Sequence, residues 1–413
     1  MNPLRLACGL ASVTLLIAGC TTTTDTPQPA AVGVLAPLTG PDAGWGVDAV
    51  NGARLAVDVV NDDHPELPLP LAAGTGLPGR GGARLSLAAR DTAGGPEAAS
   101  AALTSLTEQE HVAGLVLADS TEVAESAASQ AQRLRVPLLD ARSTDDYLTE
   151  LGIDWYFRTG PSDSRLAEAA FALLARRGQG TGTITLVTES GRTGSAAAMS
   201  DLRELARRAG VPIGETLTVT ASAADRDALH DRLDAQAGHT VVAWAQTAAG
   251  ARAVADAVGQ TGERPTLFGL GQGFRLLERP DGGAALLRAV PWSAELAGRE
   301  PTARLVAQLY EQRFGRPMSA VAADAFTATI ALAAAIDAAG SSDAAAIRTA
   351  LRRTSLSAVQ MIMPWDGVRF GDDGQNQFAA AVVEQWQDRG YRLVYPVELA
   401  SSAARWSSPE PQP

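Results

Sequence analysis

Side-chain patterns that would indicate catalysis or metal binding are weak in this sequence. The four histidines are scattered and lack the helical spacing of a zinc site: His64, His111, His230 and His239. No GxSxG nucleophile elbow and no phosphate-binding P-loop occur in the sequence. A glycine-rich segment at 269–273 lacks the GxGxxG pattern of a dinucleotide site. We therefore expect no catalytic residues, no metal site and no cofactor.

Hydroxyl side chains follow an apolar run in a position that suits binding. Ser120 and Thr121 come after the predicted strand 112–117 and before the predicted helix 122–134. A hydroxyl there can cap the helix, or it can donate to a ligand carboxylate that the free N–H groups also attract. One residue can cap while its neighbour binds, so the sequence leaves both roles open.

Alternating strands and helices must position these turns. The segment 32–61 is a predicted strand at 32–37, a glycine-rich loop at 38–46 and a helix behind it. Similar units follow along the chain, as is typical of a doubly wound α/β sheet. Ligands of open α/β sheets bind at the carboxyl ends of the strands. We expect Trp45 at the rim of such a crevice, with a purely structural tryptophan as the alternative.

Length and composition set the broad class. The chain has 413 residues, more than one compact core accommodates, so we expect two lobes. The net charge is −12, which argues against a nucleic-acid surface. The only cysteines are Cys8 and Cys20, so the folded body has no disulfide and no cysteine-based metal site.

The N-terminal segment is a predicted targeting signal. Arg5 provides the positive charge and residues 10–18 an apolar run too short to span a bilayer. The run ends in LIAGC, which resembles a bacterial lipobox and implies cleavage before Cys20 and lipid attachment to its thiol. The alternative is an ordinary secretory peptide with a chance cysteine. Residues 21–29 are polar and proline-containing, as expected of a flexible tether.

Several segments together carry a family resemblance. The run APLTG, an aromatic-glycine pair and NGARLAVDVVN resemble the opening of the extracytoplasmic solute-binding proteins of branched-chain amino acid ABC transporters, the Leu/Ile/Val-binding type. YFRTGPSD at 156–163 resembles the segment at the family's first crossing between lobes. The pieces occur in the family's order over nearly all of the chain after the N-terminal tail.

The resemblance implies α/β architecture of the type I periplasmic-binding-protein kind, with two doubly wound α/β lobes joined by crossover hinge segments. The divisions expected from it are a lipoprotein signal peptide at 1–19, a lipidated tether at 20–30, a first lobe at 31–160 plus 292–362, a second lobe at 161–291 plus 363–398, and a disordered tail at 399–413. The segment 62–84 is longer than the family's usual turn and is interpreted as an insertion.

The resemblance also implies a small ligand held between the lobes. The first-lobe positions that match the family's binding turns are Trp45, Ser120, Thr121, Ser143 and Thr144. On the second lobe the matching positions are Thr193, Trp244 and Gln272. The two hydroxyl turns of the first lobe would hold a carboxylate through hydroxyls and backbone N–H groups.

Departures from the family pattern leave the ligand open. Gln272 lies near the family's carboxylate for the ligand ammonium group, and an unpaired buried ammonium is costly. Asp119 and Asp140 are the candidates to substitute for that carboxylate. Arg142 can bind a second carboxylate or an acyl oxygen of the ligand, or it can form a structural ion pair with Asp140. Branched-chain or other amino acids, related carboxylates and amides all remain candidates.

The function implied is that of a lipid-anchored extracytoplasmic binding protein without enzymatic activity. Its partners would be a small-molecule ligand, an ABC permease with cytoplasmic ATPases, and the membrane through the lipid on Cys20; we expect a monomer and no nucleic acid. One rival is a ligand-sensing receptor module on the same fold. Another is an enzyme or an envelope scaffold lipoprotein that uses the fold without ligand capture.

Overall fold

A computed structural model describes the chain at residues 28–177, 182–192, 194–235, 240–262, 265–277 and 285–407. The expected signal peptide, Cys20, most of the expected tether, Thr193 and residues 408–413 lie outside these described residues.

Helices and strands alternate along most of the described chain. The strands are β1 Ala30–Ala36, β2 Leu85–Asp91, β3 Gly114–Leu117, β4 Leu138–Asp140, β5 Tyr156–Arg158, β6 Ile184–Glu189, β7 Ile213–Val219, β8 Thr240–Trp244, β9 Thr266–Leu270, β10 Leu286–Val290, β11 Leu356–Ser357, β12 Gly367–Val368, β13 Val382–Gln387 and β14 Gly390–Tyr395. The helices are α1 Ala43–Asn61, α2 Pro96–Glu108, α3 Thr121–Leu134, α4 Tyr147–Glu150, α5 Asp163–Arg177, α6 Ser195–Ala209, α7 Ala223–Asp234, α8 Ala248–Gln260, α9 Gln272–Arg275, α10 Pro301–Phe314, α11 Ala320–Ala339 and α12 Ala344–Arg352.

The first lobe is built on a parallel sheet of five strands in the order β2-β1-β3-β4-β5. Apolar clusters lie on both of its faces, with α1 and α11 on one face and α2 and α3 on the other. Helices α1 and α11 pack closely, because a Cβ at Gly52 would lie only 2.1 Å from the carbonyl oxygen of Ala322. Helix α11 is long and apolar enough to cross a membrane, but 78% of its most apolar window is buried in this core.

The second lobe is built on a sheet of seven strands in the order β14-β13-β10-β9-β8-β6-β7. Strands β6 to β10 run parallel, whereas β13 and β14 add an antiparallel hairpin at one edge. Apolar clusters again lie on both faces. The expected fold class of two doubly wound α/β lobes is therefore confirmed, while the exact domain boundaries stay a prediction.

Buried polar contacts hold the crossover segments together. Arg158, at the end of β5, donates from Nε to Gln375 Oε1 at 2.6 Å. Asn376 Nδ2 donates to the carbonyl oxygen of Thr159 at 3.1 Å, so the first and last crossings lie side by side. Gly374 must be glycine here, because its φ is 80° and a Cβ would lie 2.3 Å from the carbonyl oxygen of Tyr156.

One expectation about local structure is corrected. Helix α1 begins at Ala43, so Trp45 lies on its first turn and not in a loop. Gly46 allows this early start, because a Cβ there would lie 1.7 Å from the carbonyl oxygen of Pro37.

The segment 62–84, interpreted as an insertion, packs on the first lobe, since Leu67, Leu69 and Leu77 are buried in its core.

Residues 399–407, which belong to the expected disordered tail, are described by the structure and bond to the second-lobe sheet. The backbone N–H of Leu393, on edge strand β14, donates to the Glu295 carboxylate. The carbonyl oxygen of Leu393 accepts the backbone N–H groups of Ser401 and Ser402. Gln385 on β13 binds the backbone of Arg405 through both ends of its side-chain amide. Sequence reasoning missed these contacts because polar tail residues gave no sign that side chains of distant strands would bind their backbone.

Candidate functional site

The loops after the strands of the two lobes meet across a closed cleft. Gln246, after β8, donates from Nε2 to Asp145 Oδ2 at 3.1 Å. Arg275, after β9, donates to the carbonyl oxygen of Arg142 at 3.1 Å. Residues 142–145 follow β4, so the facing surfaces are the carboxyl ends of the strands, as expected for an open α/β fold.

Arg142 is buried in this cleft and stacks on Trp45. Its guanidinium carbon lies 4.3 Å from the centre of the Trp45 ring, and the residue is 2% exposed. Nε and Nη2 of Arg142 have no hydrogen-bond partner among the described residues. Burial and the nearby Arg275 lower the pKa of Arg142 to about 10, so the group stays cationic at neutral pH.

Asp140 is a structural residue of the turn that carries Arg142. Its Oδ1 accepts the backbone N–H groups of Arg142 and Ser143 at 2.8 and 2.9 Å, and its Oδ2 accepts the Tyr156 hydroxyl at 2.8 Å. These bonds occupy the carboxylate. No ion pair with the Arg142 side chain occurs among the described residues, and these bonds favour a structural role for Asp140 over that of an ammonium partner.

Most of the expected hydroxyls are engaged within the protein. Ser120 caps α3 by accepting the N–H of Val123 at 3.5 Å. The hydroxyl of Thr121 lies near the Asp145 carboxylate and that of Thr144 near the Asp163 carboxylate, and each lowers the pKa of the carboxyl group beside it. Ser143 differs, because its buried hydroxyl oxygen has no partner in the described part of the chain.

Asp119 is also engaged. Its carboxylate accepts the Thr92 hydroxyl and the backbone N–H of Ser120, the latter at 2.6 Å. Burial raises the pKa of Asp119, and the Arg142 charge opposes that shift. Asp119 thus lies near the arginine without forming a direct ion pair that would occupy the guanidinium.

The second-lobe wall contains Trp244, Asp163 and Gln272. Trp244 is 2% exposed, its ring belongs to the second-lobe core, and its Nε1 donates to Asp163 Oδ2 at 2.8 Å. The expectation that Trp244 presents an aromatic face to a ligand is therefore not supported by its burial. Gln272 is 5% exposed, and its Oε1 has no partner among the described residues.

Asp145 and Asp163, which lie where the two lobes meet, have carboxyl groups with raised pKa values. Burial, with Asp163 and Asp146 nearby, raises the pKa of Asp145 to about 7. Burial likewise raises the pKa of Asp163 to about 6. The Asp145 carboxylate also fills the space beside Gly194 at the start of α6, where a Cβ would lie 2.1 Å from Oδ1.

A buried ion pair joins the lobes beside Arg142. Arg275 Nη2 lies 2.8 Å from Asp324 Oδ2, with side chains 5% and 1% exposed. Burial raises the pKa of Asp324 to about 6, and Arg275 limits that shift. The second carboxylate oxygen, Oδ1, has no partner among the described residues.

Unpartnered polar atoms are the common property of the cleft. Donors and acceptors of both lobes belong to this set: Trp45 Nε1, Arg142 Nε and Nη2, Ser143 Oγ, Asp163 Oδ1, Gln246 Oε1, Gln272 Oε1 and Asp324 Oδ1. Buried polar atoms of folded proteins are usually hydrogen-bonded, so these atoms are candidates to contact a bound solute. In the part of the chain that the structure describes, no group of three or more His, Cys, Asp or Glu could hold a metal ion.

Sequence reasoning identified some residues of this site and missed others. Trp45, Arg142, Ser143 and Gln272 have unpartnered atoms at the cleft, whereas Asp119, Ser120, Thr121, Thr144 and Trp244 hold other protein groups. Asp145, Asp163, Gln246, Arg275 and Asp324 were not expected. Asp163 lies within YFRTGPSD, the segment expected at the first crossing between the lobes, and that signal could have identified it.

Comparison with known proteins gives a family and a set of similar folds. The family model for periplasmic binding proteins matches residues 29–390. No curated protein matches the sequence. An ABC transporter substrate-binding protein from Desulfitobacterium hafniense in complex with Leu is 20% identical, with a TM-score of 0.72 over 89% of this chain and 100% of that chain.

Two further solved structures are similar. The branched-chain amino acid transporter substrate-binding protein of Streptococcus pneumoniae, in complex with isoleucine, is 19% identical with a TM-score of 0.70, over 88% of this chain and 98% of that chain. A solute-binding protein of R. palustris in complex with benzoate is 17% identical with a TM-score of 0.67, over 89% of this chain and 95% of that chain. At these identities the likeness is one of fold.

Proposed function

The chain belongs to the periplasmic binding protein family, and from this premise we propose that it is the extracytoplasmic substrate-binding protein of an ABC importer. It captures a small polar solute between its lobes and delivers it to a permease with cytoplasmic ATPases. The protein itself carries out no covalent chemistry. The proposed ligands are branched-chain or other amino acids and related carboxylates or amides.

The observation that carries this proposal is the set of unpartnered buried atoms from both lobes. Arg142, Trp45 and Ser143 contribute from the first lobe, and Gln246 and Gln272 from the second. A ligand that contacts both lobes stabilises the closed form relative to the open form, which is how such a protein reports that it is loaded. The set includes donors and acceptors, so it suits a small solute with both kinds of group.

Similar proteins suggest which solutes to test. The related structures are complexes of those proteins with Leu, isoleucine, 3,4-dihydroxybenzoic acid and benzoate. All four carry a carboxyl group, two with an ammonium group and two with an aromatic ring. The same four compounds therefore form the first test panel for this chain.

A thermal-shift screen tests ligand capture. The wild-type body from Thr21 onward is mixed with the panel, amides and small polyols. We expect a specific solute to stabilise the folded state by about 2.7 kcal/mol at one hundred times its dissociation constant. Gln272→Ala should weaken the shift, whereas Gln312→Ala, a matched change at an exposed glutamine of α10, should leave it unchanged. A folded protein that responds to no compound would favour the scaffold role.

Membrane anchoring through Cys20 is the second part of the proposal. Its support is the LIAGC segment, since small residues precede the cysteine as in a lipobox. Cells that express the full chain should incorporate labelled palmitate into the wild type and not into Cys20→Ser. Release of both proteins in unlabelled, soluble form would support an ordinary secretory signal instead.

A further inference from the structure

We infer that the side-on edge of Arg142, formed by Nε–H and Nη2–H, is the anion-binding subsite of the cleft and takes a carboxylate of the ligand. In this role Arg142 replaces the two hydroxyl turns that the sequence pattern suggested. The inference rests on the proposed function, because it names the chemistry that the captured solute must carry.

The geometry of the free atoms supports a carboxylate. Nε–H and Nη2–H lie on one edge of the guanidinium and point in parallel, so they match the two oxygens of a carboxylate. Both nitrogens are buried and without a partner among the described residues. The Trp45 ring, 4.3 Å from the guanidinium carbon, covers one face of the group and leaves its edge for binding.

The charges around Arg142 support the same conclusion. Three nearby carboxylates already have partners: Asp140 binds its own turn, Asp119 binds Thr92 and Ser120, and Asp324 binds Arg275. Asp42 also acts on the Arg142 charge, but it is exposed to water and forms no ion pair with Arg142 in the described structure. Arg142 is therefore a buried cation without a counter-ion of its own in the described structure. Such a charge is costly unless an anion joins it, and a ligand carboxylate would supply one.

The hydroxyl turns offer less to an anion than Arg142 does. The Ser120 oxygen accepts the helix-capping N–H of Val123, and the hydroxyls of Thr121 and Thr144 lie near the Asp145 and Asp163 carboxylates and lower the pKa values of those groups. Of these four expected residues, Ser143 alone has a buried hydroxyl oxygen without a partner among the described residues. It directly follows Arg142 in the chain, so one turn can present both the guanidinium and a hydroxyl to the same anion.

The carboxylate can belong to an amino acid or to an acid without an amino group. Asp163 Oδ1 and Asp324 Oδ1 are free acceptors that could receive an ammonium or a hydroxyl group. The shared chemistry is the carboxylate on Arg142, and the test therefore includes both kinds of acid.

Titration calorimetry on the body from Thr21 onward tests the subsite. The probes are leucine, isoleucine, benzoate and 3,4-dihydroxybenzoate, each paired with its neutral carboxamide at the carboxyl position. We expect at least one acid to bind the wild type and its carboxamide to bind about 100-fold more weakly. Arg142→Gln should weaken acid binding about 100-fold, and Arg142→Lys about 10-fold, because lysine keeps the charge and loses the paired donors.

A matched control lies outside the cleft. Arg177 also stacks on a tryptophan, with its guanidinium carbon 4.5 Å from the centre of the Trp406 ring, so Arg177→Gln should leave acid binding unchanged. Equal binding of an acid by wild type and Arg142→Gln would overturn the inference and leave the proposed function intact. Equal affinity for an acid and its carboxamide would overturn it as well.

A second measurement needs no ligand. If Arg142 is held for an incoming anion, Arg142→Met should leave the melting temperature of the ligand-free protein unchanged or raise it. Arg158→Met should lower it, because Arg158 has hydrogen-bond partners at Nε and Nη1. A comparable loss in Arg142→Met would identify Arg142 as structural and overturn the inference even if no probe binds. Failure of every probe to bind the wild type would count against the proposed ligand classes themselves.

Discussion

The Asp145 carboxylate lies against Gly194 and Gln246 of the opposite lobe, in surroundings that favour its neutral form. Burial comes first among the causes that raise its pKa to about 7, and the acids Asp163 and Asp146 add to it. Thr121 and Arg158 act in the opposite direction. Asp145 therefore joins the two lobes and also changes its charge between mildly acidic and neutral pH.

The stability of the ligand-free protein should fall as the pH rises from about 4 to about 7. Asp145 and Asp163 have folded-state pKa values of about 7 and about 6, above the value of about 4 for an unfolded carboxyl. The folded state therefore binds more protons in this window, and its advantage is lost as the pH rises. Each carboxyl group changes the free energy of unfolding by at most about 1.4 kcal/mol per pH unit.

Urea unfolding at several pH values checks this prediction. Asp145→Asn should flatten the slope and raise the stability near neutral pH, since the amide is always neutral. Asp388→Asn is the control, because Asp388 is exposed and Arg405 holds its pKa down, so both states are ionised in the window. A slope in Asp145→Asn as steep as in the wild type would contradict the assignment.

Asp140 is expected to matter for stability and not for ligand chemistry. Asp140→Ala would leave two buried N–H groups and the Tyr156 hydroxyl without an acceptor, at a cost of about 3 kcal/mol or more. Asp343→Ala removes an exposed helix cap and should cost about 1 kcal/mol. Chemical unfolding measures both, and similar small losses would show that the turn does not depend on Asp140.

At the scale of elements, the N-terminal end of helix α6 contacts the other lobe and its C-terminal glycine does not. Gly194 and Gly210 flank the helix with φ values of 85° and 67°, so alanine strains the backbone at both positions by about 1 kcal/mol. A Cβ at Gly194 would also meet Asp145, whereas none of the surrounding atoms lies within 4 Å of a Cβ at Gly210.

Gly194→Ala should therefore shift the ligand-free protein toward an open arrangement, and Gly210→Ala should only destabilise it. Small-angle scattering would detect the difference as a larger radius of gyration for the first variant. If both variants give the same radius of gyration as the wild type, the contact between Gly194 and Asp145 does not determine whether the cleft is closed.

Most elements could be predicted from the sequence because buried strands and amphipathic helices have clear patterns. The strand at Val112–Leu117, for example, contains β3, and the helix at 122–134 coincides with α3 to within one residue. The start of α1 could not be predicted, since three glycines suggested a loop while one of them, Gly46, lets the helix approach Pro37. Glycine at a close approach and glycine in a turn look alike in a sequence.

At the scale of the whole molecule, closure depends on contacts between residues far apart in the chain. Arg275 and Asp324 form a buried ion pair between the lobes, whereas Arg288 and Glu384 form one within the second lobe, with Nη2 and Oε2 at 2.9 Å. Removal of one partner from a buried pair costs about 3–5 kcal/mol. When the cleft opens, the partner left behind in the Arg275–Asp324 pair becomes exposed to water, so its burial no longer lowers the stability. The Arg288–Glu384 pair lies within one lobe, so opening does not expose it.

Arg275→Ala should therefore increase the open population and weaken ligand binding, with a small effect on global unfolding. Arg288→Ala should lower global stability and leave the scattering profile of the folded protein unchanged. Combining Arg275→Ala with Asp324→Asn should recover part of the closed population. An unfolding loss of equal size for the two single arginine variants would argue against lobe opening.

These contacts also mark the limit of sequence reasoning about the site. The residues of single turns, such as Ser143 and Arg142, could be located because the strand before them was evident. The partners across the cleft could not, since nothing local indicates that Gln246 faces Asp145 or that Arg275 faces Asp324. Whether a hydroxyl is free or already bonded depends on such pairings, and so does the identity of the anion subsite.

The tail at 399–407 has a consequence for how the protein behaves at high concentration. Strand β14 is the last strand of the larger sheet, and its outward backbone groups at Leu393 are taken by Glu295, Ser401 and Ser402. An uncovered sheet edge is a template on which a second chain can add a strand. A protein shortened before Leu399 would keep every cleft residue and still be prone to aggregation through that edge.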